Sequence, residues 1–441
     1  MFRASLRVTG KYWKNTGSGW GNAEDGFRTK PLIEYMRQVP DPRCGRKTKH
    51  DYAEILVCMV AGFLAGRTTV RRILKWCRNH LGTLRESMPL KNGIASVPTA
   101  CRILSGIDEE LFALGFMEWI GEIASTRGIH LAIDGKALLA AMNKVRNFRA
   151  PMVLNAIDAA TGIVLAQMPM EKKDCEITAI PALLGRLDIT GSTVTIDAIG
   201  TQTGIMKQIL GQGGSFVLTV KRNQPEAYRE IQEHFDGMWE HVQKGEKPPE
   251  GYERAKSHEK NRDRHEYRTY ESDNDCSCVS KYSEEWDFLK TVGRARQVRI
   301  PLERDGEGND ITPDEQEFLA KGSRRRPLPS NGDSMGSDIQ LVGLISDRKM
   351  GAGEIGKYKR EHWAIENSLH HVLDESFRED RSPAKKSKNN LALVRKFAYN
   401  ILRIAMLYGD CSKIMTEAMD DFCDDLSLMK KYIFSGIPSF Y

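Results

Sequence analysis

The sequence predicts a mixed α/β protein: an all-helical region leads into a sheet flanked by helices, and a β-containing insertion interrupts that sheet before its last strand. Three observations predict it. From about 31 to 123 the large apolar residues recur at helical spacing. From about 128 they alternate as strands do, with helical stretches between. From about 225 to 340 a highly charged segment with its own strand-like runs breaks that scheme.

Residues 1–30 contain Gly, Trp and Lys with no period and read as an arm. Helices follow over 52–64, 68–81, 98–104 and 109–123, broken at Gly66, Gly82 and Ser105-Gly106. The helix over 68–81 buries Val70, Ile73, Leu74 and Cys77 and turns Arg71, Arg72, Lys75 and Arg78 outward. A packed amphipathic helix with a basic outer face explains that pattern more simply than a helix lying in a DNA groove.

The sheet region opens with a strand ending at Asp134. Strands over 153–157 and 163–168 then flank the turn-rich Asp158-Ala-Ala-Thr-Gly162. A helix near 179–187, a strand ending at Asp197, a helix over 203–210 and a strand over 216–220 complete the run. A structureless loop as long as 225–340 is uncommon in a compact domain, so this stretch reads as an inserted subdomain with strands near 267–270 and 296–302 and a Gly/Ser/Pro-rich edge at 321–338. A strand over 339–346 returns the chain to the sheet. A helix patterned by Trp363, Ile365, Leu369, Val372 and Leu373 carries Glu366, and another follows over 391–407. The division expected is an arm (1–30), a helical domain (31–123) that is a candidate for DNA binding, an α/β domain (124–410) and an acidic tail (411–441) with Glu417, Asp420, Asp421, Asp424 and Asp425.

Composition narrows the function. Lys and Arg exceed Asp and Glu by 65 to 59, a net +6, with a pI near 8.7, which is compatible with a polyanionic partner. Eight basic residues lie between Arg378 and Arg403 against Glu379 and Asp380, and Lys321 with Arg324-Arg-Arg326 forms a second run. The nine cysteines are scattered, and Cys276 and Cys278 have no partner pair at zinc-finger spacing, so free thiols in a reducing compartment are expected. The N-terminus lacks the apolar core of a signal peptide, and the longest apolar run, 55–65, is too short to span a bilayer. The expectation is a soluble, cytoplasmic protein.

Three acids carry the chemistry. In Leu131-Ala-Ile-Asp134 and Val194-Thr-Ile-Asp197 each acid leaves its strand on the face opposite the large apolar residues, and Glu366 sits on an amphipathic helix. Two strand-end carboxylates and one helix carboxylate suit Mg²⁺, which takes a few hard oxygen ligands from separate elements. Two such ions about 3.5–4 Å apart activate the attacking oxygen and stabilise the leaving one in phosphodiester chemistry. A competing reading is that His362, Glu366, His370 and Asp374, recurring every four residues, form a transition-metal face; the HExxH signature is absent.

The segments Ala132-Ile-Asp-Gly-Lys136, Glu176-Ile-Thr-Ala-Ile-Pro-Ala-Leu-Leu184, Val194-Thr-Ile-Asp-Ala198 with Gln202, Val220-Lys-Arg-Asn-Gln224, His362-Trp-Ala-Ile-Glu-Asn367 and His370 with Val372-Leu-Asp374 resemble insertion-sequence DDE transposases. The nearest subgroup is the ISAs type, related to the wider IS-four-like group. The similarity runs from about 31 to 407. It implies a ribonuclease-H-like fold in which Asp134, Asp197 and Glu366 form a triad binding two Mg²⁺ or Mn²⁺. The implied reaction is hydrolysis at a transposon end followed by attack of the freed 3′ hydroxyl on target DNA. Double-stranded DNA (terminal inverted repeats and target) is the implied partner, bound by a homodimer, with the protein on the nucleoid when it holds DNA. Implied backbone contacts beside the acids are Lys136, Lys221, Arg222, Asn223 and Gln224. Arg264 and Arg268, flanking Glu266, extend them, with Arg360, His362 and Asn367 around the glutamate and Lys385, Lys386, Lys388 and Arg395 in the basic stretch. A decayed or domesticated DNA-binding relative is the alternative.

Overall fold

The computed structural model describes residues 28–43, 48–138, 152–170, 176–260, 264–282, 285–304, 310–311, 339–382 and 387–438. Most of the expected arm, the 321–338 stretch, Lys385 and Lys386 lie outside the described residues.

Six helices come first: α1 (Leu32–Gln38), α2 (Tyr52–Leu64), α3 (Val70–Asn79), α4 (Leu81–Arg85), α5 (Val97–Gly106) and α6 (Glu109–Gly121). Side chains of Asp51, Thr69, Ser96 and Asp108 accept from backbone N–H groups in the first turns of α2, α3, α5 and α6, satisfying donors that a helix start leaves unpaired. Every α2 residue after Tyr52 is buried, so this helix is the axis of the region.

The sheet has nine strands: β1 (His130–Ala137), β2 (Met152–Asp158), β3 (Val164–Met170), β4 (Thr193–Ile196), β5 (Ser215–Val220), β6 (Glu253–Lys260), β7 (Arg264–Asp273), β8 (Thr291–Pro301) and β11 (Ile339–Ser346), with the short pair β9 (Glu303–Arg304) and β10 (Asp310–Ile311) apart from it. Their spatial order is β3-β2-β1-β4-β5-β11-β8-β7-β6. β1, β4 and β5 run parallel, and the remaining pairings are antiparallel. Helices α7 (Glu176–Leu184) and α8 (Thr203–Gly211) connect the parallel strands.

The insertion departs from the expectation. β11 pairs with β5 on one side and β8 on the other, so β8, β7 and β6 continue the sheet and do not form a separate body. Within this stretch lies a long helix, α9 (Pro225–Gln243), which opens on a proline at its first position and buries Ala227, Ile231 and Phe235. Those three residues, spaced by four, were the available sequence signal.

After β11 come α10 (Ala352–His362), α11 (His371–Glu375) and α12 (Lys388–Tyr408); Gly409, in the left-handed conformation at φ 74°, ends α12. Phe397 of α12 packs against Phe112, Phe116 and Trp119 of α6 at ring separations of 5.9, 4.9 and 4.9 Å. One hydrophobic core therefore runs through the helical region and the sheet region, across the boundary expected near 123. The acidic C-terminal residues also fold back: α13 (Met415–Asp424) and α14 (Leu426–Met429) bury Phe422 and Met429, and Thr29 N donates to Ile437 O at 2.9 Å. No helix among the described residues is long and apolar enough to cross a membrane.

Candidate active site

β1 and β4 are neighbouring parallel strands with Ile133 opposite Ile196, so Asp134 and Asp197 are the next residues on each. Strands about 4.8 Å apart and running in one direction deliver both carboxylates to the same end of the sheet. Asp197 ends its strand outright, because a 3₁₀ turn over Ala198–Gly200 follows. Thr195, two residues earlier, lies between two imidazoles: His130 Nε2 at 2.9 Å and His362 Nδ1 at 3.0 Å. This contact fixes α10 against the sheet and so places the third acid.

Glu366 lies in a π-helical turn, Ile365–His370, between α10 and α11. Such turns insert one extra residue and recur at functional sites. Here the insertion breaks the four-residue register. His362 is buried against Thr195, Glu366 is exposed, His370 Nδ1 stands 3.7 Å from Asp134 Oδ2, and Asp374 accepts from Lys136 Nζ at 2.6 Å. The transition-metal face is thereby overturned: its four members point to different neighbours. Among the described residues no group of three His, Cys, Asp or Glu side chains stands ready as a metal cage.

The two strand acids hold protons differently. Burial, then the charges of Glu366 and Asp197, push the Asp134 carboxyl up to about 7. Burial acts in the same direction on Asp197, but Lys221, at 2.8 and 3.0 Å from its two oxygens, and Lys359 behind it outweigh that and hold it at about 2. Lys359 is itself lowered to about 8, by removal from water against the pull of Asp197, and donates to Thr219 Oγ1 at 3.2 Å. Sequence reasoning missed Lys359; its i, i+4, i+7 spacing with Trp363 and Glu366 was the available signal. A cleft lined by Lys221, Lys359, Arg268, Arg360 and Trp363 opens beside Asp197.

The other expected contacts divide into four groups. Lys221 reaches the site, and Arg222 and Asn367 are exposed near it. Asn223 and Gln224 donate to Ala198 O at 2.7 Å and Thr201 O at 2.6 Å, so their amides brace the loop after Asp197. Arg264 and Arg268 stand on β7 and Arg360 on α10, tied to Glu266 and Glu259, and Arg268 and Arg360 line the cleft.

The fourth group is corrected. Lys136, His362, Lys388 and Arg395 are all buried, so none presents its charge or ring to a polyanion at the surface. Lys136 Nζ lies 2.6 Å from Asp374 and 3.1 Å from Glu379, Lys388 donates to Leu138 O at 3.4 Å, and Arg395 stands 3.7 Å from Glu379 with its guanidinium 5.2 Å from the Phe63 ring. Lys396, also buried, donates to Gln167. Burial raises the Glu379 carboxyl, but Lys396, Lys136 and Arg395 outweigh it and hold it low. Lys136, Arg395 and Lys396 are thus the cations of an internal ion network around Glu379 that joins β1, α11 and α12, while Arg378 and Arg381 of the basic stretch are exposed.

Two family models match. Residues 33–120 match the DDE_Tnp_1-associated region, and residues 126–401 match the Transposase DDE domain. The chain is 29% identical over 386 residues to YncI of Escherichia coli O157:H7, named as a transposase, with 87% of this chain and 88% of that protein covered. It is 28% identical over 398 residues to the H repeat-associated YhhI of Escherichia coli strain K12, also named as a transposase, covering 89% and 96%. Among solved structures, it aligns with the piggyBac transposase in a synaptic complex with hairpin DNA at TM-score 0.41 and 13% identity, over 90% of this chain and 75% of that one. With the domain model spanning residues 126–401, from ahead of Asp134 to past Glu366, the chain belongs to the family of transposases built on the DDE domain.

Proposed function

We propose that this transposase hydrolyses a phosphodiester at each transposon end and transfers the strand into target DNA, with Asp134, Asp197 and Glu366 as one metal-dependent centre. The observation that carries the reading is electrostatic: Glu366 and Asp197 both act on the Asp134 carboxyl, so acids from two strands and a π turn share one field. The order β3-β2-β1-β4-β5, a hairpin followed by parallel strands, supports a ribonuclease-H-like core.

The donor set fits a hard divalent cation. Three carboxylates, one of them raised by burial and then by the charges of the other two, leave negative charge that Mg²⁺ or Mn²⁺ compensates. Bound as a pair, such ions supply an activated water and a clamp on the leaving oxygen. The protein supplies position. Asn223 and Gln224 hold the Asp197 loop, His370 abuts Asp134, and the cleft cations Lys221, Lys359 and Arg360 line the path of a phosphate backbone.

The test is strand cleavage of duplex DNA carrying the sequences that flank the gene. Asp134→Asn, Asp197→Asn and Glu366→Gln each abolish cleavage while DNA binding persists; undiminished cleavage by any one removes that residue from the mechanism. Two transposon ends and one triad per chain imply a dimer on DNA. Mixed Asp134→Asn and Asp197→Asn subunits stay inactive, because each triad lies within one chain; recovery of cleavage would show that sites are shared.

A further inference from the structure

The sequence's densest basic run is divided between interior and surface, with Arg378 and Arg381 exposed. In the 378–403 stretch Lys388, Arg395 and Lys396 are buried, and Arg403 donates to Thr161 O at 3.1 Å through Nε. Between Arg67 and Lys91, by contrast, seven basic residues face a single acid, Glu86. Three of them, Arg71, Arg72 and Lys75, stand exposed along the outer face of α3, and no ion pair or side-chain hydrogen bond engages them among the described residues. Neither α3 nor the adjacent α5 contains an acidic residue, and α5 adds the exposed Arg102.

This array is rigid. The inner face of α3 buries Ile73, Leu74, Trp76 and Cys77 against the core. Ile73 packs so closely on α2 that a Cβ added at Gly62 would meet its Cγ2 at 2.4 Å. Thr69 caps the first turn, and Arg78 is tethered to Ala95 O at 2.9 Å. Cations held at fixed spacing on a packed helix suit a regular polyanion, whose condensed counterions they displace. A solvated surface face ordinarily carries both signs of charge; this one carries only positive charge.

The geometry points to α3 as a second DNA-binding surface, separate from the triad, whose Arg71, Arg72 and Lys75 contact the phosphate backbone of duplex DNA. The assignment rests on the transposase reading above for its choice of polyanion. The free side of α3 offers three cations to backbone phosphates, contacts that position a duplex without reading its sequence.

The experiment measures binding of the full chain to a random-sequence duplex by fluorescence anisotropy across a salt series. Arg71→Ala/Arg72→Ala/Lys75→Ala is expected to weaken binding and to reduce the magnitude of the log–log salt slope by about 3, roughly one per lost contact. Arg71→Lys/Arg72→Lys, which keeps the charge, is expected to retain the native slope, and an unchanged far-ultraviolet spectrum and melting temperature show that both variants fold. An unchanged slope in the triple variant overturns the α3 assignment alone. A native chain that binds no duplex overturns the transposase reading as well. The same series is run on a duplex carrying the sequences that flank the gene, and a loss seen there but not on the random-sequence duplex overturns the backbone role in favour of base reading.

Discussion

Asp134 and Asp197 occupy equivalent positions on adjacent strands, yet one is pushed up to about 7 and the other held at about 2, because Lys221 engages only Asp197. The contrast has a consequence for stability. A carboxyl whose pKa rises on folding makes the unfolded state the less protonated one between its two pKa values, so stability falls as pH rises from about 4 to about 7. Asp134→Asn removes that cost and should raise the melting temperature of the chelator-treated protein at neutral pH. At roughly 1.4 kcal/mol per unit the gain is bounded near 4 kcal/mol, less a discount for the partly exposed side chain. No rise, or a fall, would mean that neither burial nor the neighbouring acids disfavour the charged form of Asp134. Asp134 and Asp197 were legible as acids on strands because strand alternation fixes which way each points, whereas the orientation of Glu366 depends on a π turn. Lys359 and Glu379 were not, since their roles depend on Asp197 and on Lys136, Lys396 and Arg395, which the fold brings to them from a distance.

Most strands and helices were legible from period alone, and the strand over 339–346 was read to the residue. The π turn was not, because an inserted residue leaves the hydrophobic pattern of Ile365, Leu369 and Leu373 intact while rotating the polar positions. Nor was the place of the insertion, since strand pairing is a long-range choice: both free edges of β11 are filled, one by β5 and one by β8. The junction of α10 with these strands is close. A Cβ at Gly356 would lie 2.5 Å from the Tyr270 ring of β7. Gly356→Ala should therefore destabilise the protein by about 1–3 kcal/mol in urea titration and reduce cleavage by shifting the element that carries Glu366. A stability equal to native would show that α10 and β7 separate freely.

Across the whole molecule, charge is the quantity the sequence counts but does not place. The run from Arg378 to Arg403 looks like a surface for phosphates, yet its Arg395 and Lys396 belong instead to the positive half of a buried network around Glu379, while Arg378 and Arg381 are exposed. Breaking a buried network by removing one partner costs about 3–5 kcal/mol, because the opposite charges remain uncompensated. Glu379→Gln, which strands Lys136, Arg395 and Lys396, should show that loss in chemical denaturation. Acid should act in the same direction on the native chain: a carboxyl held low in the folded state stabilises it above its unfolded pKa and loses that contribution as pH falls. A near-neutral Glu379→Gln would mean that the cluster is open to water.

The central claim is that Asp134, Asp197 and Glu366 form one divalent-metal centre, and Mn²⁺ binding by the full chain, followed by calorimetry without DNA turnover, tests it most directly. The account predicts two ions per chain, with Asp134→Asn, Asp197→Asn and Glu366→Gln each weakening binding by an order of magnitude or more while the fold persists. Affinity and stoichiometry equal to native in all three variants would contradict it.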